Sequence, residues 1–193
     1  MIVSFQKRNL PHLYLTDGQY FITYRLANSI PYKLLIGLKS NPAEWDFQKY
    51  KRHFIKYDKL LDFGKNGIDY LKRQQFAAVC METLHYPDGN DYKLICYCIM
   101  PNHVHLVFKL LPGNKGIDKI MQSIKRISAR KCNLLLDKEG KFWQDESFDR
   151  WIRNEAELIY TIRYVLLNPV NAGLVIDWRE WLFTYCHPDY QIM

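Results

Sequence analysis

The stretch YKLICYCIMPNHVHLVFKL (92–110) leaves this chain little freedom in how it folds. On a strand, successive side chains point to opposite faces, and HVHLVFKL divides cleanly under that rule. Val104, Leu106, Phe108 and Leu110 form an unbroken apolar face, while His103, His105, Val107 and Lys109 share the other. Pro101-Asn102 supplies turn chemistry between the two halves. The stretch therefore reads as two strands, 92–100 and 103–110, joined by a short turn. An apolar sheet face has to be covered, and the rest of the sequence supplies helices to cover it.

GQYFITYRLANSIP (18–31) is rich in β-branched and aromatic residues, ends in a turn signal, and reads as the first strand. Residues 42–63 carry aromatics at helical spacing among many charges, and GKNG (64–67) breaks that segment. IDYLKRQQFAAVCMETLHY (68–86) has apolar residues at a helical period and is closed by PDGN (87–90). After PGNKG a helix begins at Ile117, with Ile117, Ile120, Met121, Ile124 and Ile127 on its buried side. DKEGKFWQDESFDRWIRN (137–154) reads as a polar, aromatic-rich connection. EAELIYTIRYVLLNPVNAGLV (155–175) reads as a helix stopped at Asn168-Pro169, because the residue before a proline disfavours α geometry. The order strand, helix, strand, strand, helix, helix predicts an α+β layer with an antiparallel sheet.

A chain of 193 residues fits one domain, 1–193, with a sizeable core. Its longest apolar run, LICYCIM, is too short to span a bilayer, and MIVSFQKRNL lacks a secretory pattern. The expectation is a cytoplasmic protein with no membrane partner. Five cysteines without paired CxxC spacing (Cys80, Cys96, Cys98, Cys132 and Cys186) read as small core residues. The net charge of +7 favours an acidic partner. Seven basic residues and one acidic residue lie between Lys109 and Lys131. On the helix from Ile117, Lys119, Arg126 and Arg130 form a stripe opposite the buried side. Such a ridge fits a phosphate backbone, and it equally fits a helix that only needs to stay soluble.

Two imidazoles at i and i+2 on a rigid strand can converge on one divalent ion, or they can be a surface pair on a half-buried sheet. A metal needs further ligands. In YTIRYVLLNPV (160–170), Tyr160, Tyr164 and Asn168 fall at i, i+4 and i+8 and line one side of a helix. Tyrosines there serve either as chemistry or as core residues with a hydrogen-bonded tip.

Taken together, MPNHVHLVF, FWQDESFDRWIRN and IRYVLLNPVNAGLV resemble the single-tyrosine HUH transposase family, in its REP-associated tyrosine transposase branch. The likeness runs from about Tyr20 to about Phe183, and three motifs in the right order make it specific. The resemblance implies a ferredoxin-like fold, the histidine pair on a central strand, and a helix carrying the nucleophile beside it. It implies His103, His105 and Asn168 as metal ligands for Mg²⁺ or Mn²⁺, and Tyr164 as nucleophile with Tyr160 as the fallback. The implied activity is that of a DNA endonuclease and strand transferase, forming a 5′-phosphotyrosine on single-stranded DNA that carries a hairpin. Phenols ordinarily ionise near 10, so the nucleophile needs a metal or a nearby cation. Arg163 points about 100° away from Tyr164 on a helix and is not assigned that role. Lys119, Lys125, Arg126, Arg130, Arg150 and Arg153 are expected to hold DNA, with Trp143, Phe148 and Trp151 as stacking candidates. The family acts as monomers or as homodimers. The alternatives are a catalytically idle nucleic-acid binding protein of the same fold and a zinc hydrolase using water. The latter would want an additional carboxylate or histidine ligand, which no recognisable spacing supplies.

Overall fold

The computed structural model describes residues 2–7, 11–15, 17–30, 56–61 and 68–191, with the backbone alone for 2–15. The chain runs β1 (Ile2–Lys7), β2 (Pro11–Leu15), β3 (Gln19–Arg25), a helical segment over 56–61, α1 (Gln74–His85), β4 (Tyr92–Ile99), β5 (His103–Leu110), α2 (Ile117–Leu136), β6 (Phe148–Ile152), α3 (Glu155–Asn171) and β7 (Thr184–Cys186). β1 and β2 pair with each other in a separate antiparallel hairpin. The main sheet is antiparallel, in the order β6-β3-β5-β4-β7. Its first four strands taken in chain order, β3, β4, β5 and β6, stand as 4-1-3-2, the ferredoxin-like arrangement, and β7 extends one edge.

The hairpin expected over 92–110 is present, its two-residue turn closed by Met100 N–H donating to the His103 carbonyl at 2.8 Å. One sheet face packs Tyr20, Ile22, Tyr24, Leu106 and Phe108 against α1 and α2. The other packs Phe21, Cys96, Cys98 and Val107 against Leu158, Ile162, Val165 and Leu166 of α3. The sheet is thus sandwiched, and β5 is its middle strand. All five cysteines are free and buried.

Several expectations are corrected. The 137–154 connection contains β6, an edge strand on β3. Its sequence, FDRWI, carries charges where a strand has only one neighbour and half-exposed side chains, which hides the alternation. Trp143 and Phe148, expected to stack bases, are core residues at 4% and 5% exposure, and the Trp143 indole N–H donates to Ser128 Oγ at 2.8 Å. The last helix does not stop at Asn168: α3 runs through Pro169 to Asn171. A proline near a helix end deprives only one carbonyl, that of Val165, of its partner, and a packed helix tolerates that. Ile127, expected on the buried side of α2, is only half-buried; Ser128 and Cys132 complete that side instead. Residues 42–55 and the break at 64–67 lie outside the described residues.

Candidate active site

The mid-sheet position of β5 fixes both imidazoles. His103 and His105 are 1% and 0% exposed, on the face covered by α3. Cross-strand register sets His105 opposite Thr23 of β3, whose Oγ1 lies 2.8 Å from His105 Nδ1. His103 Nδ1 lies 2.6 Å from Asn102 Oδ1. The Asn102 amide is held in that sense because its Nδ2 donates to the Leu61 carbonyl at 2.9 Å. Asn102 Oδ1 therefore accepts from His103 Nδ1–H, which turns the His103 Nε2 lone pair inward, where it stands 3.0 Å from His105 Nε2. Two facing lone pairs at that distance repel unless a cation or proton lies between them.

The group that completes the cluster is Asp58, from the helical segment 56–61. It is 4% exposed, and its Oδ1 stands 3.3 Å from His105 Nε2 and 3.9 Å from His103 Nε2. The other oxygen, Oδ2, accepts from Tyr164 O–H and, at 3.3 Å, from Asn168 Nδ2. Because α3 remains helical through Pro169, Tyr164 and Asn168 share a side and both reach the carboxylate. The Tyr164 ring stands edge-on to His105 at 5.7 Å and to Phe21 at 6.1 Å. Phe21 in turn stacks on His105. Tyr160, one turn earlier, is 45% exposed.

Burial pushes the Asp58 carboxyl up, but His105, His103 and the Asn168 amide outweigh that and leave it below its usual value. Burial and the neighbouring His105 hold His103 down to about 3, against the pull of Asp58. Both groups are therefore in their metal-binding protonation states at neutral pH. Asp58, His103 and His105 present ligand atoms within 4.8 Å of one another. Asn168 Oδ1 is buried and makes no hydrogen bond among the described residues. Two imidazole nitrogens, a carboxylate oxygen and a free amide oxygen suit a divalent cation, so the residues fit the metal that the resemblance implies.

Asp58 carries no motif signal, since it sits between Tyr57 and Lys59 in IKYDKLLDF. The one available hint was its i, i+3 relation to Leu61, which is also buried and sets Asp58 on the inner side of that turn.

The expected DNA contacts are distributed differently. Lys119, Arg126 and Arg130 are exposed on α2, on the opposite sheet face from the histidines. Lys125 donates to the Asp145 carbonyl at 2.8 Å and to Ser147 Oγ at 3.2 Å. Arg150 Nη2 lies 2.8 Å from Glu157 Oε2 in a shielded pair that ties β6 to the start of α3. Arg153 is exposed. A groove between α2 and residues 140–149 is lined by Lys119, Lys125, Arg126 and Lys141, with Asp118, Asp145, Glu146 and Asp149 among its other walls.

The sequence pattern of the family described as "Transposase IS200 like" matches residues 69–166, half of the chain. The chain belongs to this family. His103, His105 and Tyr164 lie inside the matched span; Asp58 and Asn168 lie outside it. A REP-associated tyrosine transposase of Escherichia coli K12 is 24% identical over 143 residues, 73% of this chain and 84% of that one. A Haemophilus influenzae relative is 25% identical over 131 residues, 63% of this chain and 71% of that one. Among solved structures, a REP-associated tyrosine transposase bound to a REP hairpin superimposes with a TM-score of 0.60 at 16% identity. That likeness covers 93% of this chain and 81% of the other, and it shows the shared fold. This IS200-like transposase is thus an enzyme by family. No helix among its described residues is long and apolar enough to cross a membrane.

Proposed function

We propose that this IS200-like transposase cuts and rejoins single-stranded DNA through a covalent 5′-phosphotyrosine on Tyr164. His103, His105, Asp58 and the Asn168 amide oxygen would hold a divalent cation, Mg²⁺ or Mn²⁺. The observation that carries this reading is the meeting of Tyr164 and both imidazoles on one buried carboxylate, Asp58. When bound, the cation supplies polarisation of the phosphate oxygens and offsets the charge that develops there.

Tyr164 O–H donates to Asp58 Oδ2, so the nucleophile's proton has an acceptor in place. A carboxyl held below its usual range is a weak base, so the proton moves as the tyrosine oxygen bonds to phosphorus rather than beforehand. The bond from phosphorus to the 3′ oxygen breaks, and that oxygen takes a proton from solvent and leaves as a 3′-hydroxyl. Attack by a second 3′-hydroxyl reverses the sequence and joins strands. Phe21 and His105 flank the ring and hold its approach.

The DNA is single-stranded with a hairpin; the structural relative is bound to a REP hairpin. Lys119, Arg126 and Arg130 hold the stem's phosphates on α2, with Lys125 beside them. The unpaired strand passes the β6 edge, where Arg153 contacts it and Arg150 keeps that edge on α3. The setting is the cytoplasm, where such a substrate is reached directly.

A denaturing gel tests this. A labelled hairpin oligonucleotide with single-stranded flanks and Mn²⁺ yields a covalent protein–DNA band from the wild type and none from Tyr164→Phe. The carboxylate at the metal cluster favours one second reading, hydrolysis by metal-activated water, and cleavage that persists in both Tyr164→Phe and Tyr160→Phe would select it. Retarded native mobility with no cleavage at all would select the idle binding protein.

A further inference from the structure

Arg25, at the end of β3, is 4% exposed. Buried arginines are almost always paired with an acid, because an uncompensated charge is costly away from water. This one has only neutral partners among the described residues. Its Nη1 donates to the Leu26 carbonyl at 3.4 Å and to Ser29 Oγ at 3.2 Å, both long for N–H···O bonds. The Tyr57 hydroxyl, on the residue before Asp58, is in hydrogen-bonding contact with the guanidinium. Its register partner on β5 is His103. Directly paired residues project from the same face of a sheet, so Arg25 lies on the face that carries the histidines. It stands two residues, roughly 7 Å along the strand, beyond the Thr23 that orients His105. A fixed cation with no direct ion pair among the described residues thus borders the candidate active site, with the Asp58 and Glu146 carboxylates acting on the Tyr57 hydroxyl it touches.

We propose that Arg25 seats a phosphate of the substrate strand, the scissile one or an immediate neighbour, beside His103. This rests on the reading that the site handles DNA, and it adds a phosphate-binding residue outside the span of the family match. A guanidinium is well matched to that role, being always charged, planar, and able to offer two parallel N–H donors to a phosphate. The strand phosphate supplies an anion to a buried guanidinium whose partners among the described residues are all neutral.

The competing role, bracing the 26–29 turn, predicts no link to any particular phosphate. A coupling experiment separates the two. In the Tyr164→Phe background, which keeps the strand intact, affinities are measured in EDTA for a hairpin oligonucleotide whose flank phosphates are replaced one at a time by uncharged methylphosphonates. Arg25→Gln is compared on the same set. One phosphate position is expected to cost about 10- to 100-fold when neutralised, the range for a hydrogen bond to a charged group. That cost should be absent in Arg25→Gln and retained in Arg25→Lys, which also serves if the glutamine variant does not fold. Equal penalties at every position with and without Arg25, or no position with a penalty, would overturn the proposal, as would failure to bind the hairpin at all. Covalent adduct formation by the wild type is scored separately. Adduct without an Arg25-linked position sinks this inference alone, and an Arg25-linked position without adduct sinks the nuclease reading alone.

Discussion

The depressed basicity of His103 makes the stability of the fold depend on pH. In the unfolded chain an imidazole titrates near 6.5, while in the fold burial and His105 hold His103 down to about 3. As pH falls below 6.5 the unfolded chain takes up a proton that the folded chain refuses. The contribution of neutral His103 is therefore fully present above pH 6.5, erodes as pH falls, and is gone by about pH 3. At about 1.4 kcal/mol per pH unit, the change from pH 7 to pH 5 amounts to about 2 kcal/mol. Asp58 does not confuse this window. Its carboxyl is also held low, so its contribution is present above 3.8 and is lost only as pH falls further. Urea unfolding of the metal-free protein in EDTA, at pH 7 and at pH 5, reads the difference. The wild type should lose about 2 kcal/mol more than His103→Gln over that interval. Equal losses in the two proteins would refute the claim that His103 is kept neutral by its surroundings.

Asp58→Asn should weaken Mn²⁺ binding about tenfold or more, as should His105→Ala, measured by calorimetry without DNA; unchanged affinity in either would remove that residue from the ligand set. Hairpin affinity should fall steeply between about 50 and 200 mM salt, and each of Lys119→Ala, Arg126→Ala and Arg130→Ala should lower the log–log slope by about 0.9. A flat response would leave the ridge as a solvated face. Ser128→Ala strands the buried Trp143 N–H, which now bonds at 2.8 Å, and should cost about 1–3 kcal/mol of stability by denaturant unfolding with little effect on cleavage.

The fold was legible wherever one residue pattern had one physical solution. HVHLVFKL could only alternate, and the isoleucines after Gly116 could only make a helical stripe. β6 was hidden because an edge strand tolerates charge: Asp149 and Arg150 are half-buried between buried Phe148 and Ile152. β7 has three residues, too few to show a period. Asn168-Pro169 misled in the opposite direction, since a local preference against helix was overridden by packing along the whole of α3. The histidines and Tyr164 carried motif signals. Asp58 did not, because a carboxylate becomes a ligand only through a tertiary meeting, and local spacing records nothing about which strand a distant turn will cover. The basic ridge was visible as a stripe on α2, yet its position across the sheet from the histidines follows from topology alone.

The central claim is that the phenol beside Asp58 becomes the covalent link to DNA. Mass spectrometry of proteolysed protein–oligonucleotide adduct, formed with Mn²⁺, locates the nucleotide directly. The account predicts the mass addition on Tyr164; a nucleotide found on Tyr160, or cleaved DNA with no modified peptide, would contradict it.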